Sequence, residues 1–573
     1  MKKPTLHHGE RRADTKGDGV LHSARPRGLT GVLGALLLCL SACRGGDEPP
    51  PGAVDEQPTQ GGTVVIALGD EPETLIPYGA GGLTSTRVQS FLFRYLANTN
   101  ADFASASPSL ARSWEWSDDR LALTMHLRDD VFWTDGVQMT ADDVRFSWEI
   151  GRDSTVAWRS RHWKERVLDC EVVDRFTVRY HFDGVFVDQF RYAREGFILP
   201  KHLLEDVPRE QWTSSAYAQH PVGLGPFKLE RWDRGQRIVL VRYDNYFESP
   251  KPYLERIVLE FVREPSTRVG RLRAGSVDYL PELPLRDAAE LQKAFEAGQS
   301  PVRVVSVRGR GYDFIGYNPK NPLFSSPRVR EALTRAVDRQ AIVDALCHGY
   351  AEVFESPIVP ILWAYDPTRA ITPYDPDGAR RLLAAEGWSD TDGDGWVERG
   401  GRRFEFTLMT NSETALRTQA IVPVQEYWRA VGVKANLRTL ERATALELRG
   451  KRDFDAFYGG WNAGLSPGAT ILGLFGCDYV STKNNFTEYC NAEVDSLAKL
   501  AYEMVDFEAA RPLYSRIQER IVADHPYTWM YYEHDVVAYH ERLRGILVDP
   551  RGRFLNMEDW YVPEALRTGM AGR

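Results

Sequence analysis

Residues 110–149 read LARSWEWSDDRLALTMHLRDDVFWTDGVQMTADDVRFSWE. Within them Leu121, Leu123, Met125 and Leu127 alternate with Ala122, Thr124, His126 and Arg128, the two-residue period of a strand with one buried face. Asp118-Asp119 and Asp129-Asp130 bound that strand as turn residues, and Asp135-Gly136 makes a second tight turn. Thr140, with Asp143 three residues on, has the spacing of a capping box and opens a helix carrying Val144, Phe146 and Trp148. Strand, turn, strand, turn and capped helix follow one another without slack.

The surrounding chain has 573 residues, too many for one ordinary core, so two or three lobes are expected. Its composition is globular, and a net charge of -9 argues against a nucleic-acid partner, which would require a basic face. An enzyme needs a placed nucleophile, acid or base. The sequence holds no G-x-S-x-G, no H-E-x-x-H and no P-loop, and its histidines are scattered. We therefore expect no enzymatic activity and no cofactor.

The quoted stretch resembles the signature of the family 5 periplasmic solute-binding proteins, which bind peptides, dipeptides or nickel for ABC importers. The likeness continues, in the family's order, through GGTVVIALGDEPETLIPY (61–78), PVGLGPFKLERW (221–232), YDFIGYNP (312–319), FSSPRVREALTRAVDRQAIVDAL (324–346) and YDPDGARRLLAAEGW (374–388). It implies an α/β, periplasmic-binding-protein-like fold of class II (cluster C). Two α/β lobes are joined by a two-strand hinge, with an extra small lobe. The implied divisions are 62–97, 221–308 and 525–573 for lobe I, 98–220 for the small lobe and 309–524 for lobe II.

The first 43 residues read as a targeting segment. Arg25 and Arg27 precede an apolar stretch, Leu29 to Leu40, that is too short to span a membrane. Leu40-Ser41-Ala42-Cys43 resembles a bacterial lipobox, in which Cys43 is lipidated and becomes the mature N-terminus. The alternative is an ordinary secretory signal with an incidental cysteine. Residues 44–61 are rich in Pro, Gly and acids and read as a disordered tether. The expected location is extracytoplasmic, in the periplasm or at the cell surface, held to the membrane by the lipid.

Cys477 and Cys490 bracket a short polar loop that a disulfide would close; two free thiols are the alternative. Cys170 and Cys347 read as buried thiols. Asp390, Asp392 and Asp394 hold positions 1, 3 and 5 of a calcium loop with Gly395 at 6, but position 12 is Gly401, and Glu398 comes too early. A turn without metal is the expectation.

Along the rest of the chain, Thr63–Leu68 reads as a buried strand and Thr84–Leu96 as a helix. Val302–Val307 and Tyr312–Tyr317 read as two strands, and Pro526–Tyr539 as a strand returning to lobe I.

The resemblance also locates the ligand. Two lobes closing on a hinge bury a solute between them and expel water, which strengthens the few polar contacts that orient it. In oligopeptide-binding members a Gly-Trp pair is followed by an Asp that receives the peptide's ammonium. The pair here is Gly460-Trp461, next to Tyr458 and Asn462, and the Asp position is Gly464. A buried ammonium without a carboxylate costs several kcal/mol, so Glu282 or another acid would have to supply the charge. Arg442 and Arg449 precede Trp461 and could fork onto a carboxylate; a solvated helix face is their other reading. Trp461 offers a flat apolar wall, with core packing as the alternative. Tyr279, Tyr312 and Tyr458 are further aromatic candidates. The reading is a monomeric lipoprotein that captures a small solute, a peptide first, and hands it to an ABC permease. An oligosaccharide or metal chelate, or a sensor without a transporter, are the alternatives.

Overall fold

The computed structural model describes residues 57–567, apart from 80, 81, 157, 159, 195 and 413 and the side chain of 213. Cys43, the targeting segment and residues 44–56 of the tether lie outside the described residues; 57–60, at the tether's end, are exposed.

The chain enters the fold on β1 (Thr63–Leu68), buried from Val64 onward. Helix α1 (Leu83–Leu92) follows. It stops short of the expected Leu96 because Phe93 turns extended, at φ -129°, and drives its ring into the core.

The opening motif supplies β2 (Ala111–Trp116) and β3 (Ala122–Leu127) of a separate four-stranded antiparallel sheet, completed by β4 (Val167–Asp174) and β5 (Thr177–Phe182) in the order β2-β3-β5-β4. Leu123, Met125 and Leu127 are fully buried there, as their alternation requires. Helix α2 (Ala141–Arg152) covers this sheet. The buried Asp143 carboxylate accepts from the Thr140 N–H at 2.9 Å and from the Lys201 N–H at 2.9 Å. Two i,i+4 pairs give α2 two apolar stripes: Val144 and Trp148 join the core of the small sheet, and Phe146 and Ile150 join the core around β1.

The chain then adds β6 (Phe227–Asp233), β7 (Arg237–Arg242), β8 (Arg256–Phe261), α3 (Pro265–Arg273), β9 (Tyr279–Leu280) and α4 (Leu285–Glu296). β10 (Val302–Tyr317) leads to α5 (Pro327–Arg335) and α6 (Arg339–Leu346). Then come β11 (Ala351–Val353), α7 (Pro376–Ala385), β12 (Glu405–Asn411), α8 (Ala415–Ala430), β13 (Lys434–Leu440), α9 (Arg442–Lys451) and β14 (Ala456–Asn462). Helices α10 (Pro467–Phe475), α11 (Ala492–Glu503) and α12 (Phe507–Asp524) precede the last strand, β15 (Tyr527–His540).

One eleven-stranded sheet collects them in the order β13-β12-β14-β10-β15-β9-β1-β8-β7-β6, with β11 pairing β15. β10 and β15 carry the chain between its two halves. The first part of β10, Val302–Arg308, pairs with His540–His534 beside β9. Its last part, Tyr312–Gly316, pairs with Tyr532–Tyr527 beside β14. The two strands expected over 302–317 are thus one, interrupted by a register shift between Arg308 and Tyr312. Gly309 stands in the break, where a Cβ would come within 2.7 Å of the Glu533 carbonyl oxygen; a side chain there would push the crossing strands apart.

Apolar residues cluster separately on the two sides of this crossing. Two clusters lie on the faces of β1 and β8, one with Val64 and Ile66, the other with Val65 and Ala67; two more flank the far end of the sheet, one around Trp428 and Tyr458, the other around Phe314 and Tyr527. Cys477 and Cys490 are bonded, with Cα atoms 4.6 Å apart, while Cys170 and Cys347 are buried thiols. No helix among the described residues is long and apolar enough to cross a membrane.

Candidate functional site: a charged cleft at the strand crossover

β9 is held on one side by β1 and on the other by β15, with Tyr279 opposite both Ile66 and Tyr539. The next turn, Pro281-Glu282, leaves the sheet at the crossover. The Glu282 side chain remains half exposed, and two guanidiniums reach it from distant parts of the chain. Arg87 of α1 is 2.7 Å from Oε1 and Arg553 is 3.2 Å from it. Arg553 also donates to the Pro281 carbonyl at 2.7 Å and pairs with Asp535. Burial works against a charged Glu282, but Arg87 and Arg553 outweigh it and hold the carboxyl below its ordinary range.

Two cavities meet at this residue. One, of about 440 Å³, lies between Leu68–Glu71, Gly82–Ser85, Arg87, Arg268 and Glu282. The other, of about 540 Å³, opens between Glu282–Arg286, Leu346 and His348 after α6, Ala415, Leu416 and Gln419 at the start of α8, and Glu533, His534 and Val536 on β15. The second cavity joins residues from both sides of the crossover. Both volumes fall in the range of small-molecule sites.

Behind the second cavity lies a buried ion pair. Asp313, 1 % exposed, takes both Nε and Nη2 of Arg417, at 2.9 and 2.7 Å to Oδ1, and the Tyr531 hydroxyl donates to Oδ2 at 3.2 Å. Burial opposes the charge on Arg417, and Asp313 more than compensates, so the guanidinium's pKa rises. Gly460 pairs with Asp313 across β14 and β10, and a Cβ there would fall on the Arg417 guanidinium and 2.5 Å from Asp313 Oδ1. Its lack of a side chain is what lets the pair close.

Glu533 stands next to this pair. Burial, reinforced by Asp313, raises its carboxyl to about 7, against the lowering influence of Arg417.

The ten residues expected at the site fall into three groups. Glu282 lines both cavities; the other nine line neither. Tyr279, Tyr312 and Tyr458 do not stand as cleft walls: all three rings are fully buried. Tyr279 packs on Phe554 and Trp560 and donates to the Arg553 carbonyl at 2.6 Å. Tyr312 packs on Phe354, and the Tyr458 hydroxyl lies 3.5 Å from that of Tyr531. Each lies at a position where its strand is covered on both faces, so the ring packs into a core.

The third group gathers at the exit of β14. Asn462 and Gly464 are exposed, and Gly460 and Trp461 are half-buried. Trp461 stacks on Phe314 at 5.9 Å and its Nε1 donates to the Tyr527 hydroxyl at 3.3 Å. Arg449 is buried beside it, 4.8 Å from the Trp461 ring and 5.0 and 5.4 Å from Phe486 and Phe457. Burial pulls its pKa down, and no carboxylate lies within ion-pair distance among the described residues. Arg442 starts α9 and is exposed, so the two arginines do not form one fork.

Sequence reasoning missed Arg87, Arg417, Glu533, Asp535 and Arg553. An acid inside the apolar strand YDFIGY, Asp313, was the one signal that a buried cation had to lie nearby.

Asp390, Asp392 and Glu398 place carboxylate oxygens within 4.8 Å of one another. Asp390 already accepts from the Gly393 and Gly395 N–H groups, Glu398 from Thr391, and Asp394 pairs with Arg403.

Comparison with known proteins bears on the fold and the family. The model for "Bacterial extracellular solute-binding proteins, family 5 Middle" matches residues 105–482. The oligopeptide-binding protein AppA of Bacillus subtilis is 31% identical over 547 residues, 93% of this chain and 97% of AppA. The structure of AppA with a nonapeptide superposes with a TM-score of 0.72 at 29% identity, covering 88% of this chain and all of that one. NikZ of Campylobacter jejuni, solved with Ni(L-His), gives a TM-score of 0.73 at 25% identity over 87% of this chain and 99% of NikZ.

Proposed function

The chain belongs to the family 5 bacterial extracellular solute-binding proteins, and from that premise we propose that it captures a peptide in the cleft at Glu282 and delivers it to an ABC importer. The observation that carries this reading is the pair of cavities meeting at one residue beside two crossing strands. Strands that pass between two cores form a natural hinge, and a solute held at the crossing couples its own contacts to closure. AppA, the relative described as oligopeptide-binding, favours a peptide.

In this reading Glu282, kept ionised by Arg87 and Arg553, and the backbone around it orient the solute. Trp461, Asn462 and Gly464 form the lip on the lobe II side, and Arg449 stands behind them. Residues 62–97, 221–308 and 525–573 act as lobe I, 309–524 as lobe II and 98–220 as the small lobe. Cys43 is the lipidated N-terminus, and the protein works as a monomer at the membrane surface.

Native mass spectrometry of protein purified without denaturation tests the solute. A ladder of peptide masses is expected. A sugar, or a metal complex of the kind solved with NikZ, contradicts the peptide reading. Cys43→Ser is expected to release the protein from membranes, and continued membrane binding would overturn the anchor.

A further inference from the structure

The carboxylates near the larger cavity are spoken for, with one exception. Glu282 is held by Arg87 and Arg553, Asp535 by Arg553, and Asp313 by Arg417. The remaining cation lining the cavity, Arg286, pairs with Glu290 at 3.3 Å. Glu533 lines the cavity and has no hydrogen-bond or ion-pair partner for its carboxyl among the described residues. Each nearby guanidinium is directed to another acid, so the Glu533 carboxyl is left facing the space without a partner.

An unpaired, partly buried carboxylate is costly unless something neutralises it, either a proton or a cation. Gly464, where the family resemblance leads one to expect an acid, has no side chain to do this work for a ligand. We infer that Glu533 is the specificity-determining acid of this cleft and receives the ammonium of the solute, the free α-amine of a peptide. The inference rests on the peptide reading above and adds which end of the peptide is held and where. Within the cavity the amine meets Glu533, while the apolar wall of Leu283, Leu285, Leu416 and Val536 receives side-chain surface.

The inference also predicts a pH dependence. The charged neighbours on packed elements are Asp313 and Arg417 behind Glu533, and His534, Asp535 and Arg553 beside it. Across the cavity stand Glu282, Arg286 and His348. Burial keeps the empty-cleft carboxyl protonated up to about pH 7, so an incoming ammonium must displace a proton below that. Binding of amine-bearing peptides therefore strengthens as pH rises through neutrality.

The test uses two pools of short synthetic peptides lacking Lys, Arg and His, one with free and one with acetylated N-termini. Retention by the full chain is read by native mass spectrometry. Wild-type protein is expected to retain the free-amine pool and lose about tenfold or more on acetylation, with Glu533→Gln showing the same loss toward the free-amine pool. Equal retention of both pools by wild type, or undiminished retention by Glu533→Gln, overturns the inference while leaving peptide binding intact. Retention of neither pool contradicts the peptide reading and takes this inference with it. Should Glu533→Gln fail to fold, the wild-type profile from about pH 5.5 to about pH 7.5, below the ordinary pKa of about 7.7–8.0 of a peptide α-amine, decides. A rise in retention through that range supports the role of Glu533, and a flat or falling profile overturns it.

Discussion

Gly460 and Arg417 show how a residue chosen for a neighbour's sake escapes a sequence reading. The glycine before Trp461 suggests a loop that approaches a ligand. In the fold it is the space in which the Asp313–Arg417 pair closes. Gly460→Ala is expected to destabilise the protein by about 1–3 kcal/mol through overpacking, measured by urea denaturation. Gly473→Ala, inside α10 with open space where its Cβ would go, should instead stabilise by about 0.5–1 kcal/mol. Arg417→Met strands a buried carboxylate and should cost about 3–5 kcal/mol, and adding Asp313→Asn should recover part of that loss. If the double variant is no more stable than Arg417→Met, the pair is not the source of the cost.

At the scale of elements, what could be read was local. The alternation in β3, the turns around it and the start of α2 are set by residues within a few positions of one another, and the structure places them as the sequence implies, except that Leu121 falls before β3 and is exposed. The cap matters more than its exposure in sequence suggests, because Asp143 serves two backbone groups, Thr140 N–H and Lys201 N–H. Asp143→Ala leaves both without an acceptor and is expected to cost about 2 kcal/mol, seen as a lower midpoint in thermal unfolding. A change within error would mean that water replaces the carboxylate. Helix α1 ended early and β10 ran through its expected gap for the opposite reason. Burial of Phe93 and pairing with β15 are decided by distant chain.

Over the whole molecule the same limit governs the site. Arg87, Glu282 and Arg553 meet although they lie at three widely separated positions, and no spacing announces them. Glu282 was legible only through resemblance, and Glu533 not at all, since its meaning depends on which cations its neighbours already hold. Glu533 also ties global stability to pH. Its carboxyl is raised to about 7 in the fold against an ordinary 4.5, so the stability it contributes is fully present below about 4.5 and is lost as pH rises through 7. Thermal midpoints of wild type relative to Glu533→Gln should therefore fall across that window in protein without solute. A constant difference would contradict the shift.

Hydrogen–deuterium exchange of the full chain, with and without a retained free-amine peptide pool, locates the occupied surface most directly. The account predicts new protection at residues 82–87, 281–286, 415–419 and 532–536, the segments that surround Glu282 and Glu533. Protection confined elsewhere, such as the 390–398 turn or the small four-stranded sheet, would contradict a solute cleft at the strand crossover.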